Sequence, residues 1–419
     1  MASAGVGSVA SGAVDLVGAV VGSKAARGVG GGLGIAGAVI AAGLIAERRA
    51  TRRARGLPDV PAELRAGPLL GRGTTVVASD GVPLHVVESG PADVAEAAVD
   101  AGNGVGWPVA PGLPGVAHRR PGRAGPTLVF AHGFCNTADS WCFQQRALAD
   151  LGPMVFYDQR AHGRSGPSEV SRCTIDQLAD DLFTVLTERV PTGPIVLIGH
   201  SMGGMTILGL AQRHPELFEH RVVAVALLST SAGDLARVTF GLPAGMTTAV
   251  RTLLPGLAVG MRHTPPLLER ARRRGSDLAY SITRRVGFGT TDVPPSVVSF
   301  LEGEVAGTPI PVIASFLPTL LAHDKLAAAA VLRGVPTLLM VGDHDLMTPL
   351  PHSRTLADAL PEAELAIEEG AGHALPLERP DAVSTRIRAL VGRAHPAHSG
   401  PRSRLTSVWR REESRSDPA

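Results

Sequence analysis

The chain has 419 residues, with 40 basic and 38 acidic side chains and a formal net charge of +2 at pH 7. This length suits two domains or one large α/β domain with an insertion, and the near-neutral charge argues against nucleic acid as a partner. Cys135, Cys142 and Cys173 are too few for a disulfide framework and lack metal-ligand spacing, so we expect a reducing compartment and no metal site.

Residues 1–56 form a leader rich in Gly and Ala, in which residues 29–46 carry no charge and an arginine-rich stretch, residues 47–55, follows. A secretory signal carries its positive charges before the apolar run, so this order disfavours a signal peptide. The positive-inside rule would keep the remainder of the chain in the cytoplasm. The glycines equally suit a flexible leader. We expect a cytoplasmic protein, with residues 29–55 as a candidate anchor to the cytoplasmic face of a membrane.

The folded part is predicted to open with a β-hairpin over residues 74–79 and 84–88, because Asp80-Gly81 is a strong two-residue turn signal. Residues 89–125 then lose periodicity and fill with Gly, Pro and Ala, which predicts a surface insertion.

Strands and helices are predicted to alternate from Pro126 onwards. Apolar runs without polar alternation indicate strands buried on both faces, and apolar residues at helical spacing indicate the helices between them. Thr174 is the predicted N-cap of the helix at 175–190. This order is typical of a doubly wound, mostly parallel sheet flanked by helices. The predicted elements are a strand after Pro126, a helix at 136–151, a strand at 154–157, a helix at 175–190, a strand from Ile195, a helix at 205–211 and a strand at 222–228.

Residues 231–325 interrupt the alternation with helix-like sequence broken by prolines, which predicts an inserted helical cap. The predicted core therefore has two parts, residues 57–230 and 326–396. The second part contains a strand at 335–341, a helix at 353–360, a strand at 363–367 and a helix at 377–391. Residues 397–419 are polar and are expected to be disordered.

The sequence GHSMG, residues 199–203, lies between a predicted buried strand and a predicted buried helix. It matches the G-x-S-x-G nucleophile elbow, in which a strained turn projects a serine from the end of a strand. A serine hydroxyl is a poor nucleophile near neutral pH, so an imidazole must accept its proton and a carboxylate must orient that imidazole. Ser201 is therefore the candidate nucleophile.

From about Thr74 to Val391 the chain resembles the α/β-hydrolases that carry a cap. The resemblance implies the order serine, acid, histidine along the chain. The family's G-x-x-D-x-x-x-P pattern fits Gly342, Asp345 and Pro349, which favours Asp345 over Asp343 as the acid. Asp343 is then expected to bond local backbone amides. GAGH before a helix resembles the family's histidine loop and makes His373 the general base; the competing histidines are His352, His395 and His398.

The resemblance also implies an oxyanion hole formed by the backbone N–H groups of Met202 and Phe134, the latter in HGFCN. The Phe134 side chain suits the core equally well, since only its backbone amide would be used. Cys135 lacks an elbow and is interpreted as a bystander, while His132, His162 and His200 are expected to bond loop backbone. The sequence has no phosphate-binding G-x-x-x-x-G-K-[ST] motif, and we expect no cofactor.

These residues favour a serine hydrolase of ester-type substrates, carboxylesterase- or lipase-like, acting on a small molecule with a hydrophobic acyl group. The same triad would serve an amidase or peptidase, a carbon-carbon bond hydrolase or an acyltransferase. A hypothesis from another class is a membrane-tethered binding protein that has lost catalysis. The sequence leaves the oligomeric state open.

Overall fold

The computed structural model of the protein describes residues 65–100, 125–239, 277–290 and 292–394, together with Gly56, Asp59 and Val60. The candidate membrane segment at 29–46 and the tail at 397–419 lie outside the described residues, as do 101–124 of the insertion and 240–276 of the cap region. Across the described ranges, no single helix is long and apolar enough to span a membrane. One consecutive pair, Pro295–Gly307 and Ile310–Leu321, meets the criteria jointly but is bent by 92°.

The described strands form one sheet of eight, built from short and mostly apolar runs. They are β1 (Arg72–Val77), β2 (Pro83–Ser89), β3 (Thr127–Ala131), β4 (Met154–Tyr157), β5 (Ile195–His200), β6 (Val222–Leu228), β7 (Thr337–Gly342) and β8 (Glu364–Glu368). Their order is β1-β2-β4-β3-β5-β6-β7-β8. Only the pairings of β2 with β1 and with β4 are antiparallel; the other pairs are parallel. The sheet is therefore mostly parallel, as predicted.

Helices cover both faces of the sheet. They are α1 (Pro91–Asp100), α2 (Cys142–Leu148), α3 (Ile175–Arg189), α4 (Met202–Arg213), α5 (Pro215–His220), α6 (Asp277–Gly287), α7 (Pro295–Gly307), α8 (Ile310–Leu321), α9 (Leu350–Ala359), α10 (Leu375–Glu378) and α11 (Pro380–Ala394).

Side chains of each strand alternate between two apolar cores. On β3, Val129 and Ala131 pack into the core shared with α3, α4 and α9, while Leu128 and Phe130 pack into the core shared with α2 and α11. Strands buried on both faces need apolar residues at every position, which is why β5 and β6 read as continuous apolar runs. The strands predicted at 154–157 and 222–228 have these bounds in the structure.

The β1–β2 hairpin differs from the predicted two-residue turn. Val77 is the last residue paired, opposite Pro83, so five residues join the strands. Within this loop the Ala78 carbonyl accepts from Gly81 N at 2.8 Å, and Ala78 N donates to the Val82 carbonyl at 2.9 Å. Gly81 has φ +88°, so the Asp-Gly pair does turn the chain, but inside a wider loop.

The helix predicted at 136–151 is instead a 3-10 turn, Ala138–Trp141, followed by α2 and a second 3-10 turn, Ala149–Leu151. Its start is shaped by side chains: Thr137 Oγ1 accepts from Asp139 N, and Asp158 accepts from Ala138 N at 2.7 Å. These contacts hold the first amides in the tighter turn.

Two further predictions need correction. The helix predicted at 377–391 is divided into α10 and α11 at Pro380, which has no N–H to continue α10 and disfavours helical backbone in the residue before it. The insertion predicted at 89–125 to lack periodic structure begins with the helix α1.

The helices α6, α7 and α8 lie between β6 and β7 in sequence and belong to the predicted cap. Two apolar clusters join them to the core: Tyr280, Val298 and Leu301 pack with Cys142 and Leu377, and Phe316 and Leu320 pack with Met202 and Met205. The cap helices therefore seat directly on the elements that follow β3 and β5. The domain boundaries 231 and 325 stay a prediction.

Candidate active site

Ser201 lies at a sharp turn between β5 and α4, with φ 52° and ψ −118°. Non-glycine residues rarely adopt positive φ, and the surrounding glycines let the chain do so. A Cβ on Gly203 would lie 2.1 Å from the Ala131 carbonyl oxygen, and one on Gly199 would lie 2.6 Å from the backbone of Gly203. The strand, turn and helix pack too closely for any side chain at these two positions, and the serine hydroxyl is presented at the carboxyl edge of the sheet.

The structure brings the three predicted triad residues together. The Ser201 hydroxyl lies 3.0 Å from His373 Nε2, and His373 Nδ1 lies 2.9 Å from Asp345 Oδ2 and 3.0 Å from Oδ1. They come from loops after three strands, β5, β7 and β8, whose carboxyl ends meet at one edge. Nδ1–H donates to the carboxylate, which leaves Nε2 free to accept the serine proton.

Asp345 is buried and accepts hydrogen bonds from several donors besides His373. Its Oδ1 accepts from Met347 N at 2.8 Å and Thr348 N at 2.9 Å, and its Oδ2 accepts from the Thr348 hydroxyl at 2.8 Å. Burial raises the pKa of Asp345, but the charge and hydrogen bond of His373, with these donors, outweigh burial and lower the pKa to about 2. The carboxylate is therefore ionised at neutral pH.

The competing candidates take other positions. Asp343 is exposed, and its Oδ1 accepts from Gly370 N at 2.7 Å, so it bonds a backbone amide, though one in a distant loop. His352 on α9 contacts the Ser231 hydroxyl at 2.8 Å through Nδ1. His395 and His398 lie outside the described residues.

The two predicted oxyanion donors are positioned by a helix start and a tight turn. Met202 is the first residue of α4, where backbone N–H groups have no partner within the helix. Phe134 is in the turn closed by Asn136 N donating to the Gly133 carbonyl at 3.1 Å, and Cys135 has φ 60° in this turn. The side chains of Phe134 and Met202 belong to one apolar cluster with Phe316. Within the described chain, neither amide donates to another backbone carbonyl outside the helices and strands.

His200 has a role that the sequence indicated only in part. Its ring was expected to bond loop backbone, and Nε2 does donate to a carbonyl, that of His373, at 2.8 Å. Burial lowers the pKa of His200 to about 3, with the nearby His373 adding to the effect, so the ring is neutral and can hold this bond throughout the physiological range. A Cβ on Gly133 would lie 2.8 Å from His200 Nδ1. His200 thus links the histidine loop to the turn that holds Phe134.

The other two histidines also contact loop backbone. His132 Nδ1 lies 2.8 Å from the Gly133 carbonyl, and His162 Nδ1 lies 3.0 Å from the Arg160 carbonyl. Within the described ranges, no group of three or more His, Cys, Asp or Glu side chains is arranged to hold a metal ion.

Two buried glutamates were missed by the sequence reasoning. Glu378 accepts from Gly372 N at 2.6 Å and from Gly289 N at 2.9 Å, so it ties the loop of His373 to the end of α6. Glu304, on α7, contacts the turn after β3. The available signal for Glu304 was an acidic residue between apolar residues of the predicted cap, a signal that Glu302 on the same helix also gives.

Comparisons with known proteins agree with this architecture. Residues 126–380 match the family model described as the alpha/beta hydrolase fold. A protein provisionally named a carbamate hydrolase, from Agrobacterium fabrum, is 25% identical over 291 residues, 64% of this chain and 94% of the relative. A non-heme chloroperoxidase from Kitasatospora aureofaciens is 26% identical over 256 residues, 60% of this chain and 86% of the relative. An esterase structure from Thermogutta terrifontis has a TM-score of 0.56 at 20% identity, covering 78% of this chain and 100% of its own, a likeness of fold.

Proposed function

This chain belongs to the alpha/beta hydrolase fold family, and we propose that it is a serine hydrolase that cleaves ester-type substrates through an acyl-enzyme. The observation that carries the proposal is the continuous line of hydrogen bonds from Ser201 through His373 to Asp345, with heavy-atom distances of 3.0 and 2.9 Å. Distances in this range allow a proton to pass from the hydroxyl to the imidazole as the nucleophile attacks.

In the proposed reaction, Ser201 Oγ attacks the carbonyl carbon while its proton moves to His373 Nε2. The carbonyl oxygen becomes an oxyanion, which the backbone N–H groups of Met202 and Phe134 would stabilise. Collapse of this intermediate breaks the bond to the leaving group, which takes the proton from His373. Water then attacks the acyl-enzyme with His373 as base, releasing the acid and restoring Ser201. Asp345 stays ionised and stabilises the imidazolium formed in each half-reaction.

An ester is the substrate class we favour, because its leaving alcohol departs with less proton donation than an amine requires. The same triad would also serve the alternatives: cleavage of amides and peptides, cleavage of carbon-carbon bonds, and acyl transfer to an alcohol. The carbamate hydrolase name of one relative adds carbamates to the substrates to be tested. The apolar cluster of Phe134, Met202 and Phe316 beside the nucleophile supports a hydrophobic acyl group. The complete triad argues against an inactive binding protein.

A p-nitrophenyl ester series of increasing acyl length, with a p-nitrophenyl carbamate and an aryl amide beside it, tests the bond class and the acyl preference together. We expect ester turnover with a maximum at one chain length, and labelling of the wild type by a fluorophosphonate that is lost in Ser201→Ala. Labelling at any residue other than Ser201 would persist in Ser201→Ala, so the variant is the control. An intact Ser201 that never labels and an ester series without turnover would refute the proposal.

We also propose that residues 29–46 anchor the protein to the cytoplasmic face of a membrane. The order of the uncharged run and the arginines after it supports this orientation.

A further inference from the structure

A buried carboxyl group of the cap contacts the turn that carries Phe134. Glu304, on α7, accepts from Asn136 Nδ2 at 2.9 Å through Oε2. Its Oε1 accepts from the Thr137 hydroxyl at 2.6 Å and from Thr137 N at 3.2 Å. These partners are the last two residues of the segment 133–137, which we call the β3 turn. One side chain of the cap is therefore bonded to the β3 turn at three points.

Burying this carboxyl group has a free-energy cost that simple packing of α7 on the core would not require. Burial raises the pKa of Glu304 to about 8, against the lowering effect of Thr137 and Asn136, and Asp139 raises it further. Burial also raises the pKa of the nearby Cys142 thiol to about 11, and Glu304 and Asp139 add to that effect. Burying a carboxyl group is unfavourable unless its hydrogen bonds are satisfied, and an apolar side chain would pack α7 onto the core without this penalty. The specific gain from Glu304 is that it fixes three donors of the β3 turn in space.

The orientation of the Phe134 amide depends on the β3 turn as a unit. Gly133 O and Asn136 N close the turn, and Cys135 holds a positive φ within it. A Cβ on Gly133 would lie 2.8 Å from Asn136 Oδ1 as well as from His200, so the turn is tightly packed at its start. Glu304 restrains its other end. A turn held at both ends keeps the peptide between them, that of Phe134, in one orientation.

We propose that Glu304 is a positioning residue, which ties the β3 turn to the cap helix α7 so that correct seating of the cap orients the Phe134 N–H. The kinetic part of this inference rests on the proposed function, since it takes the Phe134 amide as an oxyanion donor. The structural part, that Glu304 holds the β3 turn, does not.

The kinetic test compares Glu304→Gln and Glu304→Ala with the wild type. Gln retains the size of Glu and one acceptor oxygen, but its N–H₂ group must face either Asn136 Nδ2 or the two Thr137 donors. An oxyanion donor acts on the transition state, and loss of one costs about 10²- to 10³-fold in kcat. We expect misorientation of Phe134 to lower kcat by about 10- to 100-fold and to change KM by less than about 3-fold. Ser315→Ala, which removes a hydrogen bond internal to α8, is the matched cap control and keeps wild-type kcat.

A double-mutant cycle locates the effect. Thr137→Val keeps the backbone N–H but removes the hydroxyl, which donates to Glu304 and accepts from Asp139 N; the second loss occurs equally with Glu or Gln at position 304. If Glu304 acts through Thr137, the loss in Glu304→Gln/Thr137→Val is smaller than the product of the two single losses, because the second change removes a contact already broken. Multiplicative losses would contradict the proposed route.

Hydrogen exchange gives a readout that needs no turnover. In Glu304→Ala and Glu304→Gln, the amides of residues 136 and 137 should exchange at least about 10-fold faster than in the wild type, while Ser315→Ala leaves them unchanged. Unchanged exchange would overturn the tether, and faster exchange with unchanged kcat would overturn the positioning role. A wild type that neither turns over esters nor labels at Ser201 would instead refute the proposed function, and the exchange result would still decide whether Glu304 holds the turn.

Discussion

Replacing Asp345 by Asn changes one atom of the site, and the hydrogen bonds determine where that atom goes. Asp345 Oδ1 accepts from the backbone amides of Met347 and Thr348, so the Asn oxygen must occupy this position. The Asn Nδ2 then takes the place of Oδ2, 2.9 Å from His373 Nδ1. It presents an N–H group there, which favours the imidazole tautomer with its proton on Nε2, although His373 Nδ1 also lies 3.0 Å from the Oδ1 position. His373 would then donate to Ser201, when catalysis requires it to accept.

The expected loss follows from the role of the acid in the triad, and the pKa of Asp345 shows that this acid is ionised. The pKa of Asp345 falls from 3.8 to about 2 in the folded protein, so the site favours the anion by roughly 2 to 3 kcal/mol at about 1.4 kcal/mol for each pKa unit. Neutralising the acid of a serine protease triad lowers kcat by about 10⁴-fold, or roughly 5 kcal/mol. The wrong tautomer can produce this loss by itself, because the pKa shift describes the ionisation of Asp345 before the reaction and not the height of the barrier.

The assay is the pH dependence of kcat for a p-nitrophenyl ester with wild type, Asp345→Asn and Asp343→Asn. We expect a loss of about 10⁴-fold in Asp345→Asn near neutral pH, with a similar melting temperature, and a change of less than about 3-fold in Asp343→Asn, because surface substitutions have small effects. Asp345→Asn within about 10-fold of wild type would refute the tautomer argument. A large loss in Asp343→Asn alone would show that Asp343, and not Asp345, is the acid of the triad.

Three further results are expected. Gly203→Ala places a Cβ 2.1 Å from the Ala131 carbonyl oxygen. Overpacking that costs about 1–3 kcal/mol should lower Tm by roughly 2–12 °C. An unchanged Tm would show that the elbow accommodates a methyl group. Burial raises the pKa of Glu304 from 4.5 to about 8 in the folded protein. Its contribution to stability is therefore complete below pH 4.5 and is lost as the pH rises to about 8. The Tm of the wild type should fall relative to that of Glu304→Gln across this pH range. Parallel pH profiles of Tm would contradict this sign. The full chain should pellet with membranes and a truncation beginning at Pro58 should stay in the supernatant; equal partitioning would end the anchor proposal.

The sequence was most informative where one short segment determines the structure. β4 and β6 have their predicted bounds because continuous apolar runs suit strands buried on both faces. Thr174 caps α3 as predicted, since an N-cap bond to Gln177 N spans only three residues. The elbow at Ser201 belongs to this group, because its strained turn is encoded in five adjacent residues.

Prediction was weaker where residues distant in sequence determine the local structure. The first turn of the predicted helix at 136–151 is set by Asp158, twenty residues away, and no local spacing shows this. Glu304 finds its donors 167 and 168 positions away. An acidic side chain between apolar residues, as in α7, indicates a buried partner, but the identity of that partner depends on how the cap packs on the core. Pro380 indicates a break before α11, but the helical spacing of the apolar residues around it led to the prediction of one continuous helix.

The distribution of the triad along the chain also bears on how the protein is made. Ser201 and His373 are 172 positions apart, so at a synthesis rate of roughly 5–20 residues per second about 10–35 s pass between their additions. β7, Asp345 and β8 are added only late in that interval, so for most of it the elbow serine has neither base nor acid. The proposed nucleophile therefore stays unactivated on the ribosome, and activity can begin only when the last two strands have joined the sheet.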